Sequence, residues 1–141
     1  MQHIGSVTRK LGDDMGLFGK RDKKAAEQEA ASAEFERLSA LSPQELAAEL
    51  MPAFGPDGPD AEHGTPGLEI MNVLTWLLRD QPGAMTKYMP KLQQPVLAGI
   101  QSLVTAGLIV DGGRGKTNST YWCATALGET TLNEGTVREY L

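Results

Sequence analysis

The sequence is poor in the residues that carry covalent and metal chemistry. It has one cysteine, Cys123, and two histidines, His3 and His63. A single thiol excludes an internal disulfide and any multi-cysteine metal site. Neither histidine has metal-ligand spacing to the cysteine or to the other histidine. Cys123 has no histidine near it in sequence, and a strand cysteine is more often a small hydrophobe than a nucleophile. Gly112-x-x-Gly115-Lys116-Thr117 lacks both the four-residue gap and the following helix of a phosphate loop. No paired carboxylates stand out as an acid–base couple. No catalytic residue, metal or cofactor is therefore assigned, and an enzyme is not expected.

Long apolar runs are also missing. None approaches the ~20 residues needed to cross a bilayer, so no integral membrane association is expected. Met1 to Asp14 has basic residues with no apolar stretch behind them, unlike a secretory signal. The expected location is the cytoplasm. Nor is there a bulk excess of positive charge: 13 Lys+Arg stand against 18 Asp+Glu, a net charge of −5. The acidity is uneven. Residues 1–65 hold seven basic and twelve acidic residues, and residues 66–141 hold six of each. Charge alone thus neither requires nor opposes a nucleic-acid partner for the second half.

What the chain does contain is helix-forming sequence, then punctuation, then a compact apolar pattern. Residues 1–24 read as a disordered leader. Within them Gly16-Leu17-Phe18-Gly19 precedes the basic cluster Lys20-Arg21-Asp22-Lys23-Lys24, a pattern also suited to an anionic membrane surface. Residues 25–54 read as a helical segment, rich in Ala, Glu and Gln. Ser42-Pro43-Gln44-Glu45 is a capping box that starts its second helix, with Leu46, Leu50 and Met51 on the buried face. Residues 55–67, with Gly-Pro-Asp-Gly-Pro-Asp and Gly-Thr-Pro-Gly, read as a linker. This predicts a helical extension loosely attached to a domain at 68–141. Phe35, Leu38, Leu46 and Leu50 would then be available for a homodimer contact.

The second half carries the fold. Ile70, Val73, Leu74, Leu77 and Leu78 recur at helical spacing over 68–79. Gln81-Pro82-Gly83 stops that helix. A short second helix fits around 85–92, with Met85, Met89 and Leu92 inward. Gln93-Gln94-Pro95 reads as a turn into a third helix, in which Val96, Ile100 and Leu103 face the core and Gly107 ends the run. Leu108–Val110 and Thr120–Thr125 read as two strands joined by a Gly-rich tip at 111–119. A last helix opens at Leu127-Gly128-Glu129. Trp76 and Trp122 are expected in the core.

Val96-x3-Ile100-x2-Leu103-x3-Gly107-Leu108-Ile109, then a Gly-rich basic tip, then Tyr121-x3-Thr125-x2-Gly128-x3-Leu132, resembles the bacterial winged helix-turn-helix regulators, broadly the MarR- and PadR-like group. The resemblance covers residues 68–141. It implies an α+β fold with three helices, a two-stranded wing and a C-terminal helix. It also implies a double-stranded DNA partner, with the third helix in the major groove and the wing on the backbone, as in a transcriptional regulator or accessory DNA-binding factor.

On that reading the DNA-binding residues are Lys87 and Lys91 on the second helix and Gln93 and Gln94 at the turn. Ala98, Gln101, Ser102 and Thr105 follow on the third helix, and Arg114, Lys116, Thr117 and Asn118 on the wing. Base edges are read mainly by Arg, Lys, Asn or Gln, and the third helix has no arginine. Leu97 and Val104 would form an apolar strip beside it. That strip supports the alternative reading, a winged-helix module for protein–protein interaction.

Overall fold

The computed structural model describes residues 16–59, 67–81, 83–115 and 118–141, with the side chains of residues 16–22 and 85 outside the description. The fold is α+β: among the described residues, five helices surround a small antiparallel sheet of three strands.

Helix α1 (Gly16–Ala40) is a 25-residue element rich in good helix formers. It begins inside the segment expected to be a disordered leader, so residues 16–24 are helical; residues 1–15 lie outside the described ones. Helix α2 (Pro43–Leu50) starts as expected. Ser42 Oγ accepts from the Glu45 amide at 3.1 Å, and Glu45 Oε1 accepts from the Ser42 amide at 3.0 Å. A 3₁₀ turn, Met51–Phe54, follows where Pro52 bars further α-helix.

The expectation that this segment is loosely attached is overturned. Leu38, Leu46, Ala47, Leu50 and Met51 are all at most 1% exposed, and they share one core with the second half. Gly99 of the long helix described next sits against Leu46, Ala47 and Leu50. The side chains proposed for a dimer contact are thus spent inside the chain, Phe35 among them as a half-buried residue packed on that core. Of the presumed linker, residues 60–66 lie outside the described ones. The rest is a connection within one packed unit.

Strand β1 (Leu68–Glu69) occupies residues read from sequence as the start of a helix. Helix α3 (Ile70–Leu77) follows directly, with the Asn72 side chain accepting from the Glu69 amide at 2.9 Å. The predicted second and third helices are a single one, α4 (Ala84–Thr105), which runs through both Pro90 and Pro95. Tyr88, Leu92, Val96, Ile100 and Leu103 line its buried side. Gly107 then takes φ +79°, the left-handed conformation that glycine adopts without steric cost, and turns the chain into the sheet.

Strands β2 (Ile109–Arg114) and β3 (Thr120–Ala124) pair antiparallel, as expected, with a bulge between Asp111 and Gly113. The sheet order is β1-β3-β2, because Leu68 and Glu69 pair with Trp122 and Tyr121. Helix α5 (Ala126–Glu134) and a 3₁₀ turn (Val137–Tyr140) end the chain. Trp122 is buried as expected, whereas Trp76 is half-buried, with the Arg79 guanidinium 3.9 Å above its ring.

Candidate nucleic-acid interface

The outward side of α4 repeats every three to four residues through Lys87, Lys91, Gln94, Ala98, Gln101 and Thr105, all exposed. It lies opposite the buried set because α-helical periodicity separates the two stripes. Gln93 is exposed beside it, and Ser102 is half-buried with its hydroxyl 3.2 Å from the Ala98 carbonyl oxygen. Leu97 and Val104 do not form an open apolar strip. Both are half-buried and pack against the core, so the surface on which the protein-interaction alternative rested is largely covered.

The stripe has two ends with different neighbours. Gln101, Ser102 and Thr105 line a shallow cleft of about 440 Å³ with Gln44 of α2 and the C-terminal Tyr140 and Leu141. Lys87 and Lys91 lie at the start of α4, just after the turn from α3. At ~1.5 Å per residue, the two ends are roughly 27 Å apart. Thr86 and Pro90 are exposed at the first end too. Sequence reasoning missed the continuity of this stripe because it ended one helix near residue 92; the unbroken apolar series Tyr88, Leu92, Val96, Ile100 was the available signal.

A second feature of that end comes from α1. The rings of Phe35 and Tyr88 stack with centroids 4.5 Å apart and an interplanar angle of 14°. Lys87 Nζ lies 5.3 Å from the Tyr88 ring, and Lys91 Nζ lies 6.0 Å from the Phe35 ring. A hydrogen bond with Ser32 holds the Tyr88 phenol below its ordinary pKa, and the charges of Lys87 and Lys91 act in the same direction against the effect of burial. Among the described residues, the ion pairs are those of Arg37 with Glu34 and Glu49, at 2.8 and 2.7 Å. The second ties α1 to α2, and among the described residues neither lysine is in an ion pair. Glu34 and Glu49 are thus both engaged by one guanidinium.

The hairpin supplies the remaining cations. Strand β2 extends to Arg114, so the tip is shorter than expected. Gly115 donates to Ser119 at 2.8 Å, and Asn118 closes the turn at φ +64°. Arg114 Nη1 donates to the Asn118 carbonyl oxygen at 2.8 Å, which brings these two expected site residues together on an exposed surface. Lys116 and Thr117 lie outside the described residues. Among those described, no cluster of His, Cys, Asp or Glu could hold a metal ion, and no helix is long and apolar enough to cross a membrane.

Comparison with protein families, with curated proteins and with solved structures gave no match to this chain.

Proposed function

We propose that the chain is a winged helix-turn-helix protein that binds double-stranded DNA, as a transcriptional regulator or an accessory DNA-binding factor. The observation that carries the reading is the placement of Lys87 and Lys91, neither of them in an ion pair among the described residues, on the exposed start of α4, immediately after the α3–α4 turn. The order of elements supports it. Helix α2, strand β1, helices α3 and α4, then the β2–β3 hairpin, with sheet order β1-β3-β2, are in the order a winged helix would have. In that layout the first helix is α2, which the sequence had assigned to an extension. The start of α4 would enter the major groove, and Arg114 and Lys116 on the wing would meet phosphates. Gln94 is suited to adenine. With so few readers of base edges, sequence preference is expected to be modest.

A titration of duplex DNA at several salt concentrations tests this. If Lys87, Lys91, Arg114 and Lys116 each neutralise one phosphate, they contribute about −3.6 to the slope of log K against log salt. Replacing Lys87 and Lys91 together by glutamine should make the slope shallower by about 1.8. Absence of binding at low salt would reject the reading.

A further inference from the structure

Helices α1 and α2 and the α3–α4 turn together line a cleft of about 330 Å³. Part of its lining is a knot of charge that the fold itself explains. Arg37 of α1 donates to Glu34 and to Glu49 of α2 over 2.7–2.9 Å. These bonds use all but one of its N–H groups, so this guanidinium has little left for a ligand. The two carboxylates are only partly spent. Each oxygen accepts one of these bonds and keeps a further acceptor site. One guanidinium against two carboxylates also leaves this side of the cleft with one negative charge.

The remaining lining has no such explanation. Trp76 and Leu77 of α3 give it an apolar part. Arg79, exposed at the turn, is fixed by two contacts. Its guanidinium lies 3.9 Å over the Trp76 ring, and Nη1 donates to the Trp76 carbonyl oxygen at 2.8 Å. That one bond leaves most of its N–H groups for another acceptor, and among the described residues Arg79 is in no ion pair. Asp80 lines the same cleft, is exposed, and is likewise in no ion pair among the described residues. An arginine held in place beside an aromatic ring is pre-organised for an anion, because little of its side-chain freedom remains to be lost on binding.

The charges select the ligand. The lining holds three carboxylates and two guanidiniums, a net of one negative charge, and Arg79 is the cation open to an acceptor. A simple anion would meet one open cation among three acids, and a simple amine would leave Arg79 unmatched. A ligand with one carboxylate and two cationic groups satisfies both signs and neutralises the cleft. Its methylenes would lie on Trp76 and Leu77. The volume is near the lower end of the ~300–1,000 Å³ common for ligand pockets, which suits a small metabolite. We infer that this cleft binds a free basic α-amino acid: lysine, ornithine or arginine. Its carboxylate meets Arg79, and its two cationic groups meet Asp80 and the Glu34–Glu49 pair. The site is separate from the exposed stripe of α4 and does not depend on the DNA-binding reading.

The test is a titration of the full chain, without DNA, followed by calorimetry and by ¹H–¹⁵N NMR. Lysine should bind saturably and move the Trp76 indole signal with the amides of 76–81, while the signal of Trp122, buried on β3, stays in place. Arg79→Gln and Asp80→Asn change exposed positions, so both variants should keep the thermal transition of the unaltered chain. Arg79→Gln should weaken lysine binding roughly 10–100-fold, the worth of a hydrogen bond to a charged group, and Asp80→Asn by about tenfold. Leucine, which lacks the second cation, and putrescine, which lacks the carboxylate, should each bind at least about tenfold less tightly than lysine. No saturable binding of lysine, ornithine or arginine up to about 10 mM, the weak limit for a ligand of ~10 heavy atoms, would overturn the site. So would binding that leaves the Trp76 signal unmoved, binding that Arg79→Gln does not weaken, or putrescine binding as tightly as lysine.

Discussion

Thr125 links three elements through one hydroxyl. Its Oγ1 donates to the Gly107 carbonyl oxygen at 2.6 Å and accepts from the Gly128 amide at 3.0 Å. It thereby caps α5 and holds the end of β3 against the turn that follows α4. Thr125→Val keeps the shape and removes both bonds, and should cost about 1–2 kcal/mol in denaturant unfolding. Gly128 is fixed by a different constraint: a Cβ there would lie 2.0 Å from the Leu108 carbonyl oxygen, a backbone atom that cannot swing aside. Gly128→Ala should therefore destabilise by about 1–3 kcal/mol, despite the better helix propensity of alanine. Leu103 is fully buried, and Leu103→Ala should cost ~2–5 kcal/mol. A smaller loss for Leu103→Ala than for Thr125→Val would mean that α4 does not pack as described.

Helix α1 carries an ion pair within itself, Glu34 with Arg37, whose strength depends on pH. Its docking rests on the Phe35–Tyr88 stack and on Arg37, which donates to both Glu34 and Glu49 at 2.7–2.9 Å. The hydrogen bond from Arg37 lowers the Glu34 pKa below its ordinary value. A lowered folded-state value means that the stabilisation is fully present above the ordinary carboxyl range and disappears as pH falls through the folded value. Both side chains are partly exposed, so the pair is worth less than about 1 kcal/mol. Hydrogen exchange of amides 31–38, corrected for the intrinsic rate, should lose protection below about pH 4. In Arg37→Ala the protection should be lower throughout and nearly independent of pH; an unchanged profile would exclude the pair as a support of this part of α1.

The same scale shows what the sequence can and cannot convey. Capping at Ser42, the left-handed Gly107 and the β2–β3 pair were legible because each depends on a few adjacent residues. The unity of α4 was not, because Gln93-Gln94-Pro95 has the local chemistry of a turn. Pro90 and Pro95 cost the helix the bonds to the Thr86 and Lys91 carbonyls, but those residues lie on the wet side, where water can take over. Burial of Tyr88, Leu92, Val96 and Ile100 then outweighs the loss. Strand β1 was hidden for a similar reason: two residues carry no periodicity, and only pairing with Tyr121 and Trp122 makes them a strand. Of the candidate interface, Lys87, Lys91 and Arg114 were visible as cations. The packing of α1 beside them depends on a contact between residues 35 and 88 that no local pattern encodes.

For the whole molecule, the consequence is that the Gly/Pro stretch is not a boundary between folding units. If it were, a chain truncated to begin at Pro66 would keep its core, because every strand and both α3 and α4 would remain. The observed packing requires the opposite. Removing α2 would expose the side of α4 around Gly99 that Leu46, Ala47 and Leu50 cover, and removing the end of α1 would uncover Tyr88. Burying a single leucine side chain is worth roughly 1.5–3 kcal/mol. Losing Leu38, Leu46, Leu50 and Met51 together thus exceeds the 5–15 kcal/mol margin typical of a domain at its lower end and consumes most of it at the upper. The chain truncated at Pro66 should show no cooperative thermal transition and should bind a hydrophobic dye. A chain beginning at Ala31 retains every buried side chain of the first half among the described residues and should melt cooperatively. If the Pro66 chain also melts cooperatively, the shared core is refuted, and with it the proposal that α2 is the first helix of a winged domain.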